Sequence, residues 1–292
     1  MYRLTNHQIA TVVNNASTML YEYCRDNHIH YTVVGSSGGL DSAVTLKLAE
    51  KACQLAESES YSLKSVGMIL PCESSHRSRE LGRLAIKAAN AELVEWNLSE
   101  QYFNYYPGNL DAEALRILGA TPDDWQETRK IANGNIKARL RMIVVYDMAR
   151  KLNGMVLSTD NLSEYWMGFW TLHGDVGDFG MIQQIFKGLE LYDIARYLEV
   201  PPEIIAAKPD DGLGVNDGGD EAQIGASYEV VDCIMIKTLQ TGDTQPKLPG
   251  IEPETFNKVI NRFYRTEYKR ENPYDLTREE LGLPEIEDIN LG

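Results

Sequence analysis

Val33-Val34-Gly35-Ser36-Ser37-Gly38-Gly39-Leu40-Asp41-Ser42-Ala43-Val44 is the stretch on which the fold turns. An apolar, β-branched run at Tyr31–Val34 enters it and two adjacent glycines interrupt it. Helical spacing then resumes with Val44, Leu46, Leu48, Ala49 and Ala52. A strand, a glycine turn and a helix in that order form a cradle for phosphate. Gly38 and Gly39 let the backbone approach an anion with no Cβ in the way. The N–H groups of the turn and of the helix start face the anion, helped by the helix dipole. The expected phosphate-binding stretch is Gly35, Ser36, Ser37, Gly38, Gly39, Leu40, Asp41 and Ser42, with the Ser37 and Ser42 hydroxyls as donors. Asp41 would repel phosphate unless a divalent cation stood between them, which makes it a candidate metal ligand. The plain alternative is a strand–turn–helix connection capped by Ser and Asp. Neither Gly-Lys-Ser/Thr nor Gly-x-Gly-x-x-Gly occurs, so the two commonest phosphate-loop patterns are excluded.

Working outward, Ile9, Val12, Val13, Ala16, Met19, Leu20 and Tyr23 mark a helix before the loop, with Thr5 or Asn6 as its cap. After the loop come strands at Val66–Leu70, Leu93–Trp96 and Met155–Ser158, separated by a helix through Leu81, Leu84, Ala85 and Ala88 and a long helix from about Asn135 to Leu152. Asn153-Gly154 reads as the cap of that long helix. Ser99 to Lys130 reads as an insertion with one short helix. Further helices are expected at Leu191–Leu198, Ile224–Leu239 and Thr255–Tyr268. Strands alternating with helices predict an α/β fold: one domain with a doubly wound parallel sheet and flanking helices. Residues 1–275 form that domain and 276–292 an acidic tail. Residues 209–232, rich in Asp, Glu and Gly, are a solvated acidic loop or a lid.

The 292 residues carry a net charge of −15, which argues against a nucleic-acid or anionic-membrane partner. No apolar run reaches the ~18 residues of a membrane span, and the N-terminus lacks a signal-peptide pattern. Cys24, Cys53, Cys72 and Cys233 have neither zinc-ligand nor redox spacing. A cytoplasmic protein with reduced thiols is expected.

Further residues narrow the reading. The Ser-Gly-Gly-Leu-Asp-Ser string resembles the signature of ATP pyrophosphatases of the adenine nucleotide alpha hydrolase-like superfamily. Gly134-Asn135-Ile136-Lys137-Ala138-Arg139-Leu140-Arg141-Met142 resembles the long helix of the NAD synthetases. Leu157-Ser158-Thr159-Asp160-Asn161-Leu162-Ser163-Glu164 resembles the strand and turn that follow it. Gly168-Phe169-Trp170-Thr171, Gly174-Asp175, Lys208-Pro209, Asp220-Glu221 and Arg265-Thr266-Glu267-Tyr268-Lys269-Arg270 continue the likeness in order over roughly residues 5–275. The resemblance implies amidation of deamido-NAD (nicotinic acid adenine dinucleotide) through an adenylate, using ATP and Mg²⁺, in a homodimer. It implies Asp41 and Glu164 as metal ligands, and the Ser37 loop, Thr159 and Lys187 as ATP contacts. Arg139, Asp175, Asp178, Tyr268 and Lys269 are implied as substrate contacts. No amidase region precedes the loop strand, so ammonia is the expected nitrogen donor.

The chain departs from the family pattern at the nicotinate end. Leu172 stands where a lysine is usual, the next family lysine aligns at Gly188, and an arginine near the adenine aligns at Ile69. A His-Lys pair reads Tyr268-Lys269, and the residues after Lys208-Pro209 are Asp210-Asp211. His173 or Lys187 is expected to supply the lost positive charge, with Asp175, Asp178 and Gln183 as rebuilt contacts. The alternatives are another amide-forming ATP pyrophosphatase or a silent nucleotide-binding homologue.

Overall fold

In the computed structural model, which describes residues 2–105, 108–210, 212–213, 219–242 and 248–283, the strand entering the glycine loop becomes the centre of the sheet. Strand β1 (Tyr31–Gly35) buries Thr32, Val33 and Val34 and pairs in parallel with β2 (Lys64–Ile69) on one side and β4 (Gly154–Ser158) on the other. Strand β3 (Glu92–Glu95) adds beyond β2 and the two-residue β5 (Phe179–Gly180) beyond β4, giving the order β3-β2-β1-β4-β5, all parallel. The central strands β2, β1 and β4 are covered on both faces, which is why they read as nearly continuous apolar runs, while the edge strand β3 is largely exposed.

Side-chain alternation sorts the two layers. Val34, Ile69, Met155 and Leu157 point to one face and pack under α1 (Asn6–Asp26), α2 (Leu40–Ser58) and α3 (His76–Ala88). Val33, Val66, Met68 and Val156 point to the other, beneath α4 (Ser99–Tyr105) and α6 (Gln126–Lys151). Between α4 and α6 lies α5 (Gly108–Leu118). A third apolar cluster, past the sheet edge, joins α7 (Leu162–Met167), α10 (Asp220–Ile224), α11 (Tyr228–Thr241) and α12 (Pro253–Arg265). Helices α8 (Tyr192–Tyr197), α9 (Pro202–Ile205) and α13 (Glu267–Arg270) complete the set.

Several boundaries differ from the sequence reading, each for a local reason. The α1 boundary is not one of these: Thr5, one of the two expected caps, accepts from Gln8 N–H through its hydroxyl while the Gln8 side chain accepts from Thr5 N–H, a reciprocal capping box. The long helix begins at Gln126, nine residues ahead of Asn135, and the insertion before it holds two helices rather than one. At the other end, Asn153 takes the left-handed conformation (φ 50°) and Gly154 opens β4 instead of capping the helix. The expected helix Ile224–Leu239 is two, because the Ser227 hydroxyl accepts from Val230 N–H and starts α11 afresh. A π-helical turn, Lys187–Leu191, precedes α8. Of the acidic tail, residues 284–292 lie outside the described residues, as do Asp211 and residues 214–218 of the candidate lid.

Sheet order reverses between β1 and β4: chain succession runs outward to β3, then returns to the far side of β1. In an open α/β sheet, the crevice at the carboxyl ends of such a strand pair is where ligands sit. The loop after β1 and the turn after β4 both open onto it.

Candidate active site

The glycine loop is held by its own side chains. Ser36 N–H donates to Met68 O at 2.8 Å and ties the loop's start to β2. Gly39 N–H donates to Ser37 Oγ at 3.2 Å, and Ser42 Oγ donates to Gly39 O at 3.2 Å. Gly38 has φ 86°, and its Hα side presses on α3. No side chain caps α2, so its first N–H groups open onto the crevice, as an anion requires. Gly35, Ser36, Ser37, Gly39, Leu40, Asp41 and Ser42 all line the cavity there; Thr159, Asp160 and Glu164 line it from the β4 side.

Asn161 caps α7 through Glu164 N–H at 3.0 Å and uses its other amide atom to donate to Asp41 Oδ1 at 2.7 Å. One residue thus fixes the two carboxylates from opposite sides of the crevice. Between them lies Lys187, 3% exposed, its Nζ 2.8 Å from both Asp41 Oδ2 and Glu164 Oε1 and 3.8 Å from Asp220 Oδ2. The ammonium sits 4.4 Å from the centre of the Tyr228 ring, whose hydroxyl lies 3.2 Å from Glu164 Oε1 and 3.3 Å from Asp220 Oδ2. Burial opposes the charge on Lys187, but Asp41 and Glu164 outweigh it and hold the amine firmly protonated. Burial pushes the Glu164 carboxyl up, with Lys187 pulling it back. Burial, with Asp175 and Glu164 nearby, raises Asp160 well above the usual carboxylate range.

Three carboxylates around one ammonium leave the crevice with excess negative charge. That oxygen-only donor set suits a hard divalent cation. Among the described residues no three acidic, His or Cys side chains stand ready to hold a metal unaided. Asp41 and Glu164 could therefore supply only part of a shell, with phosphate and water completing it, as is usual for Mg²⁺.

Lys187 is placed by a network that sequence reading did not reach. Asp232, fully buried, accepts from Gly188 N–H at 2.8 Å, Leu189 N–H at 3.1 Å and Ser163 Oγ at 2.5 Å. Ser163 Oγ accepts in turn from Lys187 N–H at 2.9 Å. Gly188, where the family lysine aligns, has no room for a side chain: a Cβ would lie 2.4 Å from Glu229 N and 2.6 Å from Tyr228 C. The cation therefore comes from the neighbouring position. Burial pushes the Asp232 carboxyl up to about 7, against the hydrogen bonds from Ser163, Gly188 and Leu189. Its folded value lies above that of an ordinary aspartate, so its contribution to stability is present below pH ~4 and is lost as pH rises through ~7. Wild type is expected to lose stability between pH 5 and 8 more steeply than Asp232→Asn, by on the order of 3 kcal/mol; urea titrations at each pH check this.

Other expected residues fall elsewhere. Asp175 lines the cavity and accepts from Thr171 N–H through both oxygens at 3.0 Å. Arg139 does not line it; its guanidinium donates to Leu172 O at 3.1 and 3.2 Å. Arg141 does, donating to Leu70 O at 3.1 Å and Ser74 Oγ at 3.2 Å. Asp178 accepts from Tyr146 OH and Val156 N–H, securing the β4 edge. His173 is exposed, at φ 59°, and outside the cavity lining. Tyr268 is exposed. Lys269 is half-buried and donates to Gly168 O at 2.7 Å and Trp170 O at 2.5 Å. With Arg262 on Met167 O and Arg270 on Trp166 O, it forms a cationic clamp on the carbonyl end of α7. Arg79, Lys208 and Asp210 also line the cavity. All four cysteines are free, and burial pushes the Cys24 and Cys53 thiols up to about 12, which makes those two poor nucleophiles.

A reversed parallel sheet that seats a diglycine loop and a carboxylate cluster at its crevice defines the adenine nucleotide alpha hydrolase-like class of fold. The family model described as NAD synthase matches residues 12–273. The NH3-dependent NAD(+) synthetase of Methanocaldococcus jannaschii is 32% identical over 92% of this chain and 98% of its own length. Among solved structures, an NMN synthetase from Francisella tularensis aligns with TM-score 0.69 and 25% identity over 92% of this chain and 98% of its own. The NH3-dependent NAD synthetase of Campylobacter jejuni aligns with TM-score 0.66 and 22% identity, covering 92% and 99%, a likeness of fold. The chain belongs to the NAD synthase family. It is thus a ligase of ATP-dependent NAD synthesis, and membership of this family does not favour the reading as a silent homologue. No helix among the described residues is long and apolar enough to cross a membrane.

Proposed function

We propose that this chain amidates deamido-NAD with ammonia, forming NAD, AMP and pyrophosphate by way of an adenylate. The observation that carries the reading is Lys187 held between Asp41 and Glu164 beside the open N-terminus of α2. Backbone N–H groups of the glycine loop, with Ser37 and Ser42, hold the β- and γ-phosphates. The substrate carboxylate attacks the α-phosphorus and pyrophosphate leaves toward the α2 N-terminus. Ammonia then adds to the acyl carbon of the adenylate, and AMP leaves as a proton is lost. No protein nucleophile is needed, because alignment and charge placement carry the rate. Asp41 and Glu164 would hold Mg²⁺, which neutralises charge developing on the phosphates. Asp41→Asn should lower kcat about 10²- to 10³-fold, as loss of a preorganised charge partner does, with the circular dichroism spectrum unchanged. Apolar side chains exposed on α1 and α6, among them Met19 and Ile143, support a homodimer.

The deciding assay mixes protein, Mg²⁺-ATP, ammonium and deamido-NAD, then reads NAD with a dehydrogenase and AMP by chromatography. NAD and AMP in equal amounts support the reading; ATP consumption without NAD overturns it. A second reading, amidation of nicotinate mononucleotide, is favoured by the likeness to the Francisella NMN synthetase. A parallel arm with that acceptor separates the two.

A further inference from the structure

Two polypeptide segments carry the charged groups facing the nucleotide loop: the first turn of α7, with Glu164, and the π-helical turn, with Lys187. A π turn makes i→i+5 bonds and is poorly stabilised by its own backbone. As at any helix start, the first N–H groups, those of Lys187, Gly188 and Leu189, find no acceptor within the turn and need outside ones. Those acceptors all belong to one bridge. Lys187 N–H donates to Ser163 Oγ, Ser163 Oγ donates to Asp232 Oδ1, and Asp232 Oδ2 accepts from Gly188 and Leu189 N–H. Ser163 immediately precedes Glu164, so the bridge spans from the metal-side carboxylate to the lysine backbone through a single carboxyl on α11. Neither Asp232 nor Ser163 lines the cavity, and both are fully buried.

We infer that Asp232 is a positioning residue: through Ser163 and the N–H groups of Gly188 and Leu189 it sets the Lys187 ammonium between Asp41 and Glu164, and so fixes how tightly the site takes a metal-bound nucleotide. What it supplies is acceptor geometry more than charge. An asparagine can keep its oxygen on the two backbone N–H groups and donate from its amide to Ser163 Oγ, whose hydroxyl hydrogen then turns to another acceptor, whereas an alanine leaves both N–H groups buried without partners. A buried donor stripped of its acceptor carries its full desolvation penalty, and here the strain would be relieved by letting the π turn shift. The inference rests on the reading of Asp41, Glu164 and Lys187 as the nucleotide and metal groups, so its test includes binding as well as turnover.

Asp232→Ala, Asp232→Asn and Ser163→Ala in the full chain are compared with wild type by circular dichroism, by Mn²⁺ binding in the presence of ATP followed by electron paramagnetic resonance, and by steady-state NAD formation. Asp232→Ala is expected to stay folded, bind Mn²⁺-ATP about tenfold more weakly per folded molecule and lose kcat about 100-fold, with KM for deamido-NAD within twofold. Asp232→Asn should keep kcat within about threefold, and Ser163→Ala should lose about tenfold. A role confined to stability would reduce the folded fraction but leave Mn²⁺-ATP affinity of the folded molecules at the wild-type value; that result overturns the inference. So does an Asp232→Asn as impaired as Asp232→Ala, because the charge itself would then be acting. Should Asp232→Ala not fold, a Ser163→Ala enzyme with wild-type kcat and affinity overturns it equally. If wild type makes no NAD, the proposed function fails, yet the Mn²⁺-ATP comparison still decides the role of Asp232.

Discussion

Lys187→Met is expected to cut NAD formation about 10³-fold and to lower the melting temperature of the free enzyme, with much of the lost stability returning when Mg²⁺ is added. Lys187 is 3% exposed, and its ammonium stands 2.8 Å from Asp41 and Glu164 and 3.8 Å from Asp220. Methionine fills a similar volume but leaves three carboxylates facing one another across a space nearly closed to water. Removing one partner of a buried ion pair costs about 3–5 kcal/mol, because the remaining charge is left uncompensated. A divalent cation that binds the folded site and not the unfolded chain offsets this in proportion to the logarithm of its concentration over Kd. Rescue should therefore grow with Mg²⁺ concentration in the variant and be much weaker in wild type, where Lys187 already supplies the charge. Activity does not return with it, since a cation replacing the ammonium cannot also serve the phosphates. Scanning calorimetry over a Mg²⁺ series reads the first effect and the NAD assay the second. A variant as stable as wild type without Mg²⁺ would mean that the carboxylates had simply taken up protons, and would count against this account of the cluster.

The second large effect separates two adjacent glycines. Gly38→Ala is expected to destabilise the protein by about 3 kcal/mol and abolish ATP binding, while Gly39→Ala stays within about 1 kcal/mol of wild type in stability. At Gly38 (φ 86°) an added Cβ would sit 2.4 Å from Ser78 O, 2.9 Å from Leu81 Cβ and 3.0 Å from Gly82 N. Two of those are backbone atoms of α3 that cannot swing aside, so a left-handed backbone penalty of ~1–2 kcal/mol adds to overpacking of ~1–3 kcal/mol. The loop can escape only by lifting from α3, which turns its N–H groups away from the crevice. At Gly39 the backbone is extended (φ −84°) and the nearest atom is the Ser37 hydroxyl at 3.2 Å, the free end of a side chain. Urea unfolding and ATP titration calorimetry on both variants check the contrast.

The pair also shows where sequence reading stops. That two glycines sit between a strand and a helix is visible in the string; which of them is pressed against a neighbouring helix depends on α3, forty residues on. The strand–loop–helix unit, the parallel sheet and the candidate carboxylate Asp41 were legible from an apolar run, a turn and a helix start, whereas Glu164 was reached only through the family resemblance. Arg139 and Arg141 were not distinguished, although the information was present. Ala138, Arg141, Met142 and Val145 recur at i, i+3, i+4 and i+7 and line the cavity together. Arg139 lies about 200° around the helix from Arg141 and meets Leu172 O instead. The π turn and β5 had no signal to read, the first because its hydrogen bonds are supplied by Asp232 on α11, the second because two residues hold no periodicity. Lys269 illustrates the opposite case: a cation near a family motif, whose contacts here are the carbonyls of Gly168 and Trp170.

The clamp of Arg262, Lys269 and Arg270 reaches back across 95 to 104 positions to the six-residue helix that bears Glu164. A helix that short cannot hold itself together in water. The corner that bears Glu164 therefore borrows its shape from three cations at the far end of the described chain, and loosening them would unseat that carboxylate while the central sheet still stands.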